Sequence, residues 1–452
     1  MANFLEKISK HSGNFIIYDD NPYSYRDLFK KIDEKSLILS NIEQGSTIAL
    51  IGDYDIESIS FLLCCYKHKM IVAPLLKSNP NEDSIKAAQI EYIYQNNKLE
   101  KTNNKSENNL LSRLKNKSGL ILFSSGSTGI PKAIVHDLDS MLESYIDKRV
   151  KPINLLLFLG FDHIGGLNTL FNSLSSGSCS IALKDRKNIK DIAKALQDYK
   201  ISLLPASPSL LNLMLTCNIQ NNYDLSNLRI ITYGSEMMPP SLLHKLKLAF
   251  PKVRFHQTFG TSETGIIQTK SLKDSIKLEN IDYKIKNNEL YLKSKTQSLG
   301  YLNSDNKAFD DEGYFATGDL VEVIESSGEE YIKIVARTKE VINVGGEKVL
   351  PSEVESVILE LPYILDCLVY GETNSIMGQS VSAKVVLDSK IESNAELKKK
   401  IRIYCKNKLA NYKIPTKIEQ VESLEISERF KEIRNINQIK SSKIKAPMGG
   451  GE

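Results

Sequence analysis

Short apolar runs alternate with amphipathic segments along the chain between residue 119 and about residue 260. The runs are rich in Leu, Ile and Val and have the length of strands. The segments between them repeat apolar residues at helical spacing, as at Leu167, Leu170, Phe171 and Leu174. Buried strands that alternate with helices predict a mostly parallel sheet with helices on both faces. The predicted strands are 119–124, 153–160, 179–184, 201–207, 228–234 and 253–260, and the predicted helices are 166–177, 189–199, 208–217 and 239–250.

The rest of the chain shows three further patterns. Residues before 119 repeat the strand and helix alternation more weakly, and we expect the polar stretch 95–109 to be a surface connection or a mobile loop without chemistry. After residue 280, short alternating strands separated by turns predict a small antiparallel sheet or barrel. Beyond Lys339, helices and strands mix in a compact α+β unit. We therefore expect two domains, at 1–338 and 339–452.

Composition and charge argue against several classes of partner. Lys and Arg number 59 against 55 acidic residues, and the formal charge of +4 is dispersed, so a nucleic-acid partner is not indicated. Six scattered cysteines form no CxxC pair and no metal-ligand spacing with histidine, which favours reduced thiols. The N-terminal residues lack the apolar core of a signal peptide, and no apolar run reaches the roughly 18 residues that span a bilayer. We expect a cytoplasmic protein without a membrane span.

The stretch LILFSSGSTGIPKAIVH, residues 120–136, places glycines, hydroxyl side chains and one lysine directly after an apolar run. Backbone N–H groups, hydroxyls and an ammonium can together hold phosphate oxygens. The spacing differs from a Walker loop, in which the lysine adjoins the last glycine and a helix begins at once. Pro131 also disfavours helix at Ile130, so we expect a hairpin-like flap over polyphosphate. Its candidate ligands are Ser124, Ser125, Gly126, Ser127, Thr128, Gly129 and Lys132.

Further motifs follow this loop along the chain: FGTSETG (259–265), YFATGDL (314–320), ARTKEVINVGGEKVLPSEVE (336–355), and NYKIPTKI (411–418) with the lysine of RFKEIR (429–434). With FSSGSTGIPK, they resemble in order the motifs of the adenylate-forming enzymes, the superfamily of acyl- and aryl-CoA synthetases, luciferases and the adenylation domains of peptide synthetases. The resemblance implies an α/β fold. It has a large N-terminal domain of parallel sheets sandwiched by helices, with a small β-barrel-like subdomain, and then a small α+β C-terminal domain that rotates about a hinge.

The resemblance implies that a carboxylate reacts with the α-phosphate of ATP, giving an acyl adenylate and pyrophosphate, and that the acyl group then passes to a thiol. Because two anions must meet, cations and oriented donors have to offset their repulsion. By resemblance, Glu263 holds Mg²⁺ that bridges phosphate oxygens, and Ser262 contacts the α-phosphate. Lys431 of the small domain neutralises charge between the carboxylate and the α-phosphate. Lys132 completes the implied catalytic set.

The same resemblance implies a nucleotide site and a hinge. Asp319 accepts hydrogen bonds from the ribose hydroxyls, and Arg337 donates to the same sugar. Lys339 is the hinge, about which the small domain swings between two catalytic poses. After the swing, the Gly345-Gly346 turn lies along a thiol tunnel. The rest of the implied nucleotide site is Gly234, Ser235, Glu236, Phe259, Gly260 and Thr261.

The stretch FLGFDHIGG, residues 158–166, bears on the identity of the acid. Amino-acid-activating relatives have an Asp here that pairs with the substrate ammonium; His163 falls on that position, and Asp162 lies one residue before it. The stretch resembles acyl- and aryl-activating members more closely, which favours a fatty, aryl or similar acid. A one-residue shift restores Asp162 and the amino-acid alternative, and a helix cap is a further role open to His163. The predicted acyl pocket is His163, Gly165, Gly166, Ser207 and Tyr233.

The thiol acceptor stays open between coenzyme A and the phosphopantetheine arm of a carrier protein, since both end in the same thiol. Two other hypotheses stand beside an acid–thiol ligase. One is an amino-acid adenylation enzyme that loads a carrier protein, and the other is a degenerate homologue that binds nucleotide or a carrier without turnover. Ala133, Ala336 and Phe430 depart from the family pattern. We predict an ATP- and Mg²⁺-dependent ligase that forms a carbon–sulfur bond.

Overall fold

The computed structural model describes residues 3–77, 82–105, 108–124, 130–234, 236–388 and 395–424. Its helices are α1 (Phe4–Ile8), α2 (Tyr25–Leu39), α3 (Ile56–Lys67), α4 (Glu82–Ala87), α5 (Asn109–Ser112), α6 (Leu138–Glu143), α7 (Ile164–Ser176), α8 (Ile189–Asp198), α9 (Pro208–Thr216), α10 (Ile219–Asn222), α11 (Pro240–Ala249), α12 (Pro351–Ile358) and α13 (Ala395–Lys406). Its first thirteen strands are β1 (Asn14–Tyr18), β2 (Asn21–Ser24), β3 (Thr47–Gly52), β4 (Ile71–Leu76), β5 (Tyr92–Gln95), β6 (Lys98–Lys101), β7 (Gly119–Ser124), β8 (Lys132–Asp137), β9 (Asn154–Leu156), β10 (Cys179–Ala182), β11 (Leu203–Ala206), β12 (Ile230–Tyr233) and β13 (Arg254–Gln257). The others are β14 (Phe259–Thr261), β15 (Gly265–Leu272), β16 (Ser275–Glu279), β17 (Asp282–Lys286), β18 (Glu289–Lys293), β19 (Gly300–Tyr301), β20 (Phe315–Ser326), β21 (Glu329–Arg337), β22 (Ile342–Val344), β23 (Glu347–Val349), β24 (Ile364–Asn374), β25 (Gly378–Leu387) and β26 (Lys417–Gln420).

Two seven-stranded sheets with parallel centres form the larger part of the structure. The first sheet has the strand order β13-β12-β11-β9-β10-β1-β2 and is parallel except where β2 runs against β1. The second sheet has the order β19-β8-β7-β4-β3-β5-β6 and is parallel from β7 to β5. The outer strands of the second sheet are antiparallel. This topology confirms the predicted α/β fold.

One apolar core joins the two sheets through a shared layer of helices. It contains Ile48 and Leu50 of the second sheet, Leu155 of the first, and buried faces of α1, α2, α3, α6 and α7. Ala49 and Ile51 belong instead to a core on the other face of the second sheet, under α4 and α5. Successive strand residues point to opposite faces, which explains this alternation. Helices α8, α9 and α11 cover the outer face of the first sheet.

A third, antiparallel sheet follows, with the strand order β14-β15-β16-β21-β20-β18-β17 and a core of its own. It is the small subdomain that the alternating strands predicted, and it begins earlier in the chain than expected, at Phe259. The predicted strand 253–260 is divided at Thr258, because β13 ends the first sheet and β14 begins the third. The antiparallel sheet therefore continues directly from the edge of the parallel one.

The polar stretch 95–109 differs from its prediction as a plain surface connection. Strands β5 and β6 form a hairpin there, and the turn residues Asn96 and Asn97 have φ values of 51° and 62°. Positive φ at both positions suits the two-residue hairpin turn whose twist matches that of paired strands, and asparagine tolerates it. Asn287 and Asn288, with φ values of 51° and 63°, make the same turn between β17 and β18.

The chain beyond β21 forms a separate α+β unit. A single 3₁₀ turn, Thr338–Glu340, leads from β21 to β22. Strands β22 to β25 make one sheet with β26 paired to β25, and α12 and α13 share its apolar core. We propose the domain boundary at Lys339, inside the connecting turn. Across the described ranges, no helix combines the length and the apolar character that crossing a membrane requires.

Phe171 of α7 tests the shared core. Its ring packs edge-on against Phe4 at 6.1 Å and against Tyr145 at 5.9 Å between ring centres. We expect Phe171→Ala to lower the free energy of unfolding by about 3 to 5 kcal/mol, because it leaves a cavity among fully buried side chains. Urea unfolding followed by circular dichroism measures the change. Leu37→Ala in α2 is the control, since Leu37 is 78% exposed, and a loss no larger than the control's would contradict the shared core.

Candidate active site

A cavity of about 1190 Å³ lies where the carboxyl ends of the first sheet, the start of the third sheet and the C-terminal unit meet. Ala206 ends β11 and Gly234 follows β12 at this edge, while Val369 and Tyr370 of β24 face it from the C-terminal unit. Ligands of open α/β sheets bind at such carboxyl ends. The predicted site residues in the lining are Ser124, Lys132, His163, Gly165, Gly234, Phe259, Gly260, Thr261, Ser262, Glu263, Arg337 and Lys339.

The structure describes the two ends of the predicted phosphate loop. Ser124 ends β7, Lys132 begins β8, and the two residues face each other across the hairpin. Both lie in the cavity lining. Several predicted ligands fall outside the described residues, and their roles stay predictions: Ser125, Gly126, Ser127, Thr128, Gly129, Ser235 and Lys431.

Tyr301 connects two of the predicted catalytic residues, although no motif marked it. Its hydroxyl donates to Oε1 of Glu263 at 2.9 Å, and Nζ of Lys132 lies 5.0 Å from the centre of its ring. Burial, together with the neighbouring Glu263 carboxylate, raises the pKa of Tyr301, so its hydroxyl stays a donor. Glu263 is 8% exposed and is oriented by this bond. In the sequence Tyr301 shows only as an aromatic residue after Gly300, between two motifs.

Asp319 and Arg337 face each other across β20 and β21. Nε of Arg337 lies 2.9 Å from Oδ1 of Asp319, whose side chain is 3% exposed. Burial raises the pKa of Asp319 to about 6, and the Arg337 guanidinium opposes the shift. Oδ2 of Asp319 is buried without a hydrogen-bond partner among the described residues. Asp319 is not among the lining residues, whereas Arg337 and Gly318 beside it are.

His163 caps the N-terminus of α7 and also lines the cavity. Its Nδ1 accepts a hydrogen bond from the backbone N–H of Gly165 at 3.2 Å. Both Gly165 and Gly166 were predicted to line the acyl pocket. Gly165 does line the cavity, whereas Gly166 lies outside the lining and packs against Tyr54. A Cβ added at Gly166 would lie 2.1 Å from the carbonyl oxygen of Gly160. The helix cap and the cavity wall are thus parts of the same turn.

Four other predicted residues lie behind the cavity or away from it. Ser207 caps α9 by accepting from the backbone N–H of Leu210 at 3.2 Å. Oε2 of Glu236 accepts from the hydroxyl of Ser209 at 2.7 Å, and Tyr233 is buried in β12. None of these three is in the lining formed by the described residues. Asp162 is also outside that lining, within electrostatic reach of Arg186 and Tyr54.

The glycine turn predicted for the thiol tunnel joins β22 and β23. Gly345 and Gly346 have φ values of 59° and 95°, a conformation that favours glycine, and the N–H of Gly345 donates to the carbonyl oxygen of Met377 at 2.8 Å. The turn is outside the cavity lining, to which the C-terminal unit contributes Val369 and Tyr370 of β24 among other residues. The tunnel role of the turn stays a prediction.

Two family models match the chain. The AMP-binding enzyme model matches residues 95–301, and the model of the AMP-binding enzyme C-terminal domain matches residues 353–431. Together they cover more than half of the sequence and include cavity residues from both parts of the structure. The chain belongs to the AMP-binding enzyme family.

This AMP-binding enzyme resembles named CoA ligases along nearly its whole length. A 2-succinylbenzoate–CoA ligase of Staphylococcus aureus (strain MRSA252) is 25% identical, over 96% of this chain and 99% of that protein. Acyl-CoA synthetase 7 of Caenorhabditis elegans is 30% identical over 69% of this chain and 63% of that protein. Relatives that are named as CoA ligases therefore align with both the N-terminal and the C-terminal part of this chain.

Solved structures share the fold of this AMP-binding enzyme. The anthranilate CoA ligase AuaEII in complex with anthranoyl-AMP superposes with a TM-score of 0.81, at 18% identity, over 97% of each chain. The o-succinylbenzoate CoA synthetase of Bacillus subtilis, in complex with its acyl-adenylate intermediate, gives 0.75 at 20% identity, over 100% of this chain and 99% of that one. At these identities the likeness establishes the fold.

Ionisation of Asp319 should cost stability. Because its pKa rises from 3.8 to about 6 on folding, its contribution favours the fold below about pH 4 and is lost as pH rises through about 6. We expect Asp319→Asn to raise the free energy of unfolding at pH 7.5 by about 1 to 3 kcal/mol, with little difference at pH 4. Urea unfolding at both pH values measures this. Asp282→Asn, at an exposed aspartate, is the control, and a destabilised Asp319→Asn at pH 7.5 would contradict the prediction.

Proposed function

We propose that this AMP-binding enzyme is an acid–CoA ligase. It activates a carboxylic acid other than an amino acid as acyl-AMP, releases pyrophosphate, and transfers the acyl group to the thiol of coenzyme A. The observation that carries the proposal is one cavity lined jointly by Lys132, Glu263 and Arg337. Two cations and a carboxylate around one space suit a substrate whose phosphates must be neutralised and oriented.

Lys132 is proposed to hold the leaving pyrophosphate. Its ammonium lies over the ring of Tyr301, a contact worth about 0.5 to 2 kcal/mol, so polyphosphate can draw it away. Ser262, next to Glu263 in the lining, is proposed to donate to the α-phosphate. Lys431 is proposed to neutralise the charge between that phosphate and the attacking carboxylate. Each group then acts where negative charge develops.

Glu263 is proposed to hold Mg²⁺. This ion is usually bound by one or two carboxylates together with substrate phosphates and waters. Glu263 fits that requirement, because it lines the cavity and its carboxylate is oriented by the hydroxyl of Tyr301. When bound there, Mg²⁺ would neutralise charge on the phosphate oxygens.

Asp319 and Arg337 are proposed to bind the ribose. The buried Oδ2 of Asp319, which lacks a partner among the described residues, suits a ribose hydroxyl. Phe259 lines the cavity and is proposed to offer its ring face to adenine. Stacking needs only the ring, so the hydroxyl of the tyrosine that the family usually carries is not required.

The acid is proposed to bind along the first turns of α7. Leu159, Ile164, Asn168 and Thr169 line the cavity there, a mixture of apolar and neutral polar side chains. A substrate ammonium would need an acidic partner, and Asp162 lies behind the wall instead. The named relatives act on 2-succinylbenzoate and anthranilate. We therefore favour an aryl, fatty or similar acid over an amino acid.

Coenzyme A is the proposed acceptor, because the similar proteins named above are CoA ligases. A carrier-protein thiol is the alternative acceptor. We propose a cytoplasmic location, where the six free cysteines would stay reduced.

Acid-dependent release of pyrophosphate from ATP tests the proposal. Aryl, fatty and dicarboxylic acids and amino acids are screened with Mg²⁺ and either coenzyme A or a loaded carrier protein. We expect an aryl or fatty acid to give pyrophosphate, AMP and acyl-CoA in equal amounts. Release of orthophosphate, or no acid-dependent release, would overturn the ligase proposal. Turnover only with an amino acid and a carrier protein would replace it with the adenylation alternative.

Lys431→Ala should separate the two half-reactions. Loss of its charge is expected to slow acyl-AMP formation by about a hundredfold or more, while a supplied acyl adenylate and coenzyme A still give thioester. Pyrophosphate release and thioester formation are measured separately. Lys400→Ala, at an exposed lysine of α13, is the control and should change neither step. Equal loss of both steps in Lys431→Ala would refute the proposed role.

A further inference from the structure

Tyr54 holds the loop before α7 from behind. It follows β3 of the second sheet, is fully buried, and is not among the cavity-lining residues. Its hydroxyl donates to the carbonyl oxygen of Leu159 at 2.8 Å. Leu159 lines the cavity, as does His163 at the end of the same loop. The hydrogen bond therefore joins the segment after β3 of the second sheet to the loop before α7, which forms part of the cavity wall beside the first sheet.

The loop closes tightly around the Tyr54 side chain. The ring of Phe161 meets the Tyr54 ring edge-on, with centres 5.3 Å apart and planes at 82°. A Cβ at Gly166 would lie 2.3 Å from the Tyr54 hydroxyl, so only glycine permits this approach of α7. Because of this close packing, the loop can move little unless the Tyr54 side chain moves with it.

An ion pair supports Tyr54 from its other side. Cζ of Arg186 lies 5.5 Å from the centre of the Tyr54 ring. Nη1 of Arg186 lies 2.9 Å from Oδ1 of Asp53, which also accepts the backbone N–H of Tyr54 at 2.9 Å. The Arg186 and Asp53 side chains are only 14% and 19% exposed. Asp162 of the loop lies within electrostatic reach of the same arginine.

We propose that Tyr54, supported by the Arg186–Asp53 pair, is a positioning residue that sets the affinity for the carboxylic acid. It acts through the loop, by fixing the carbonyl group of Leu159 and with it the wall that the acid contacts. The inference rests on the proposed function. Lys132, Glu263 and Arg337 lie on other parts of the chain. We therefore expect the effect to be confined to one substrate, the acid.

Tyr54→Phe removes the hydroxyl and keeps the ring. We expect the KM for the acid to rise about threefold to tenfold, the effect of losing one buried hydrogen bond. The KM for ATP and the kcat at saturating acid should stay within about twofold of the wild type, because the interaction lost is uniform binding of one substrate. Steady-state pyrophosphate release with each substrate varied in turn measures these values.

Tyr25→Phe is the matched control. The Tyr25 hydroxyl also contacts α7, at the end of the helix away from the cavity. It lies 3.3 Å from the carbonyl oxygen of Leu174 in the last turn and 3.2 Å from that of Ser178, just beyond the helix. Both variants lose a buried tyrosine hydroxyl beside the same helix, so a merely structural role predicts the same kinetics for both. We expect Tyr25→Phe to leave the acid KM unchanged even if its melting temperature falls.

Arg186→Lys adds a second test, because it keeps the charge and loses the planar guanidinium that faces the Tyr54 ring. Its acid KM should rise in the same direction as that of Tyr54→Phe. An unchanged acid KM in Tyr54→Phe, or an equal rise in Tyr25→Phe, would overturn the inference while the wild type stays active. A wild type inactive with every acid would overturn the proposed function instead, so the two failures are distinguishable.

Discussion

Helix α7 packs between the two parallel sheets, and the position of the cavity depends on that packing. Leu167, Leu170, Phe171 and Leu174 of this helix belong to the core that both sheets share. The first turn of the same helix forms part of the cavity wall. Because a close-packed interior transmits displacement, a shift of the buried face of α7 moves the wall as well. The shared core and the proposed acid end of the site are therefore built on the same helix.

The charged groups at the proposed ATP end of the cavity have few partners among the residues that the structure describes. An aromatic ring faces the ammonium of Lys132, one hydroxyl binds Glu263, and a half-exposed arginine pairs with Asp319. In the proposed site, a bound nucleotide would replace or complete each of these contacts. Sites arranged for a ligand commonly lose some stability in its absence, and the raised pKa of the buried Asp319 is a local sign of that loss.

The sequence allowed the elements to be predicted where burial sets a clear period, as for β7, which spans the predicted 119–124. The prediction missed the hairpin turn at Asn96-Asn97 and the change from one sheet to another at Thr258. Neither feature alters the pattern of apolar residues from which the elements were predicted. Motifs led to Lys132, Glu263 and Arg337 at the cavity. Tyr301 and Tyr54 escaped prediction because their bonds reach residues 38 and 105 positions away in the chain, and no local pattern carries such contacts.

The hairpin of β7 and β8 has a consequence for how this enzyme can change over evolution. Strand pairing brings Ser124 opposite Lys132, so the sheet itself joins the two ends of the segment with the proposed phosphate-binding role. This pairing offsets part of the entropy of closing that segment. Loops on a rigid scaffold accept substitution more readily than the scaffold does. We therefore expect substitutions between these two residues to leave the fold beneath them unchanged, so that selection can act there on the proposed phosphate contacts.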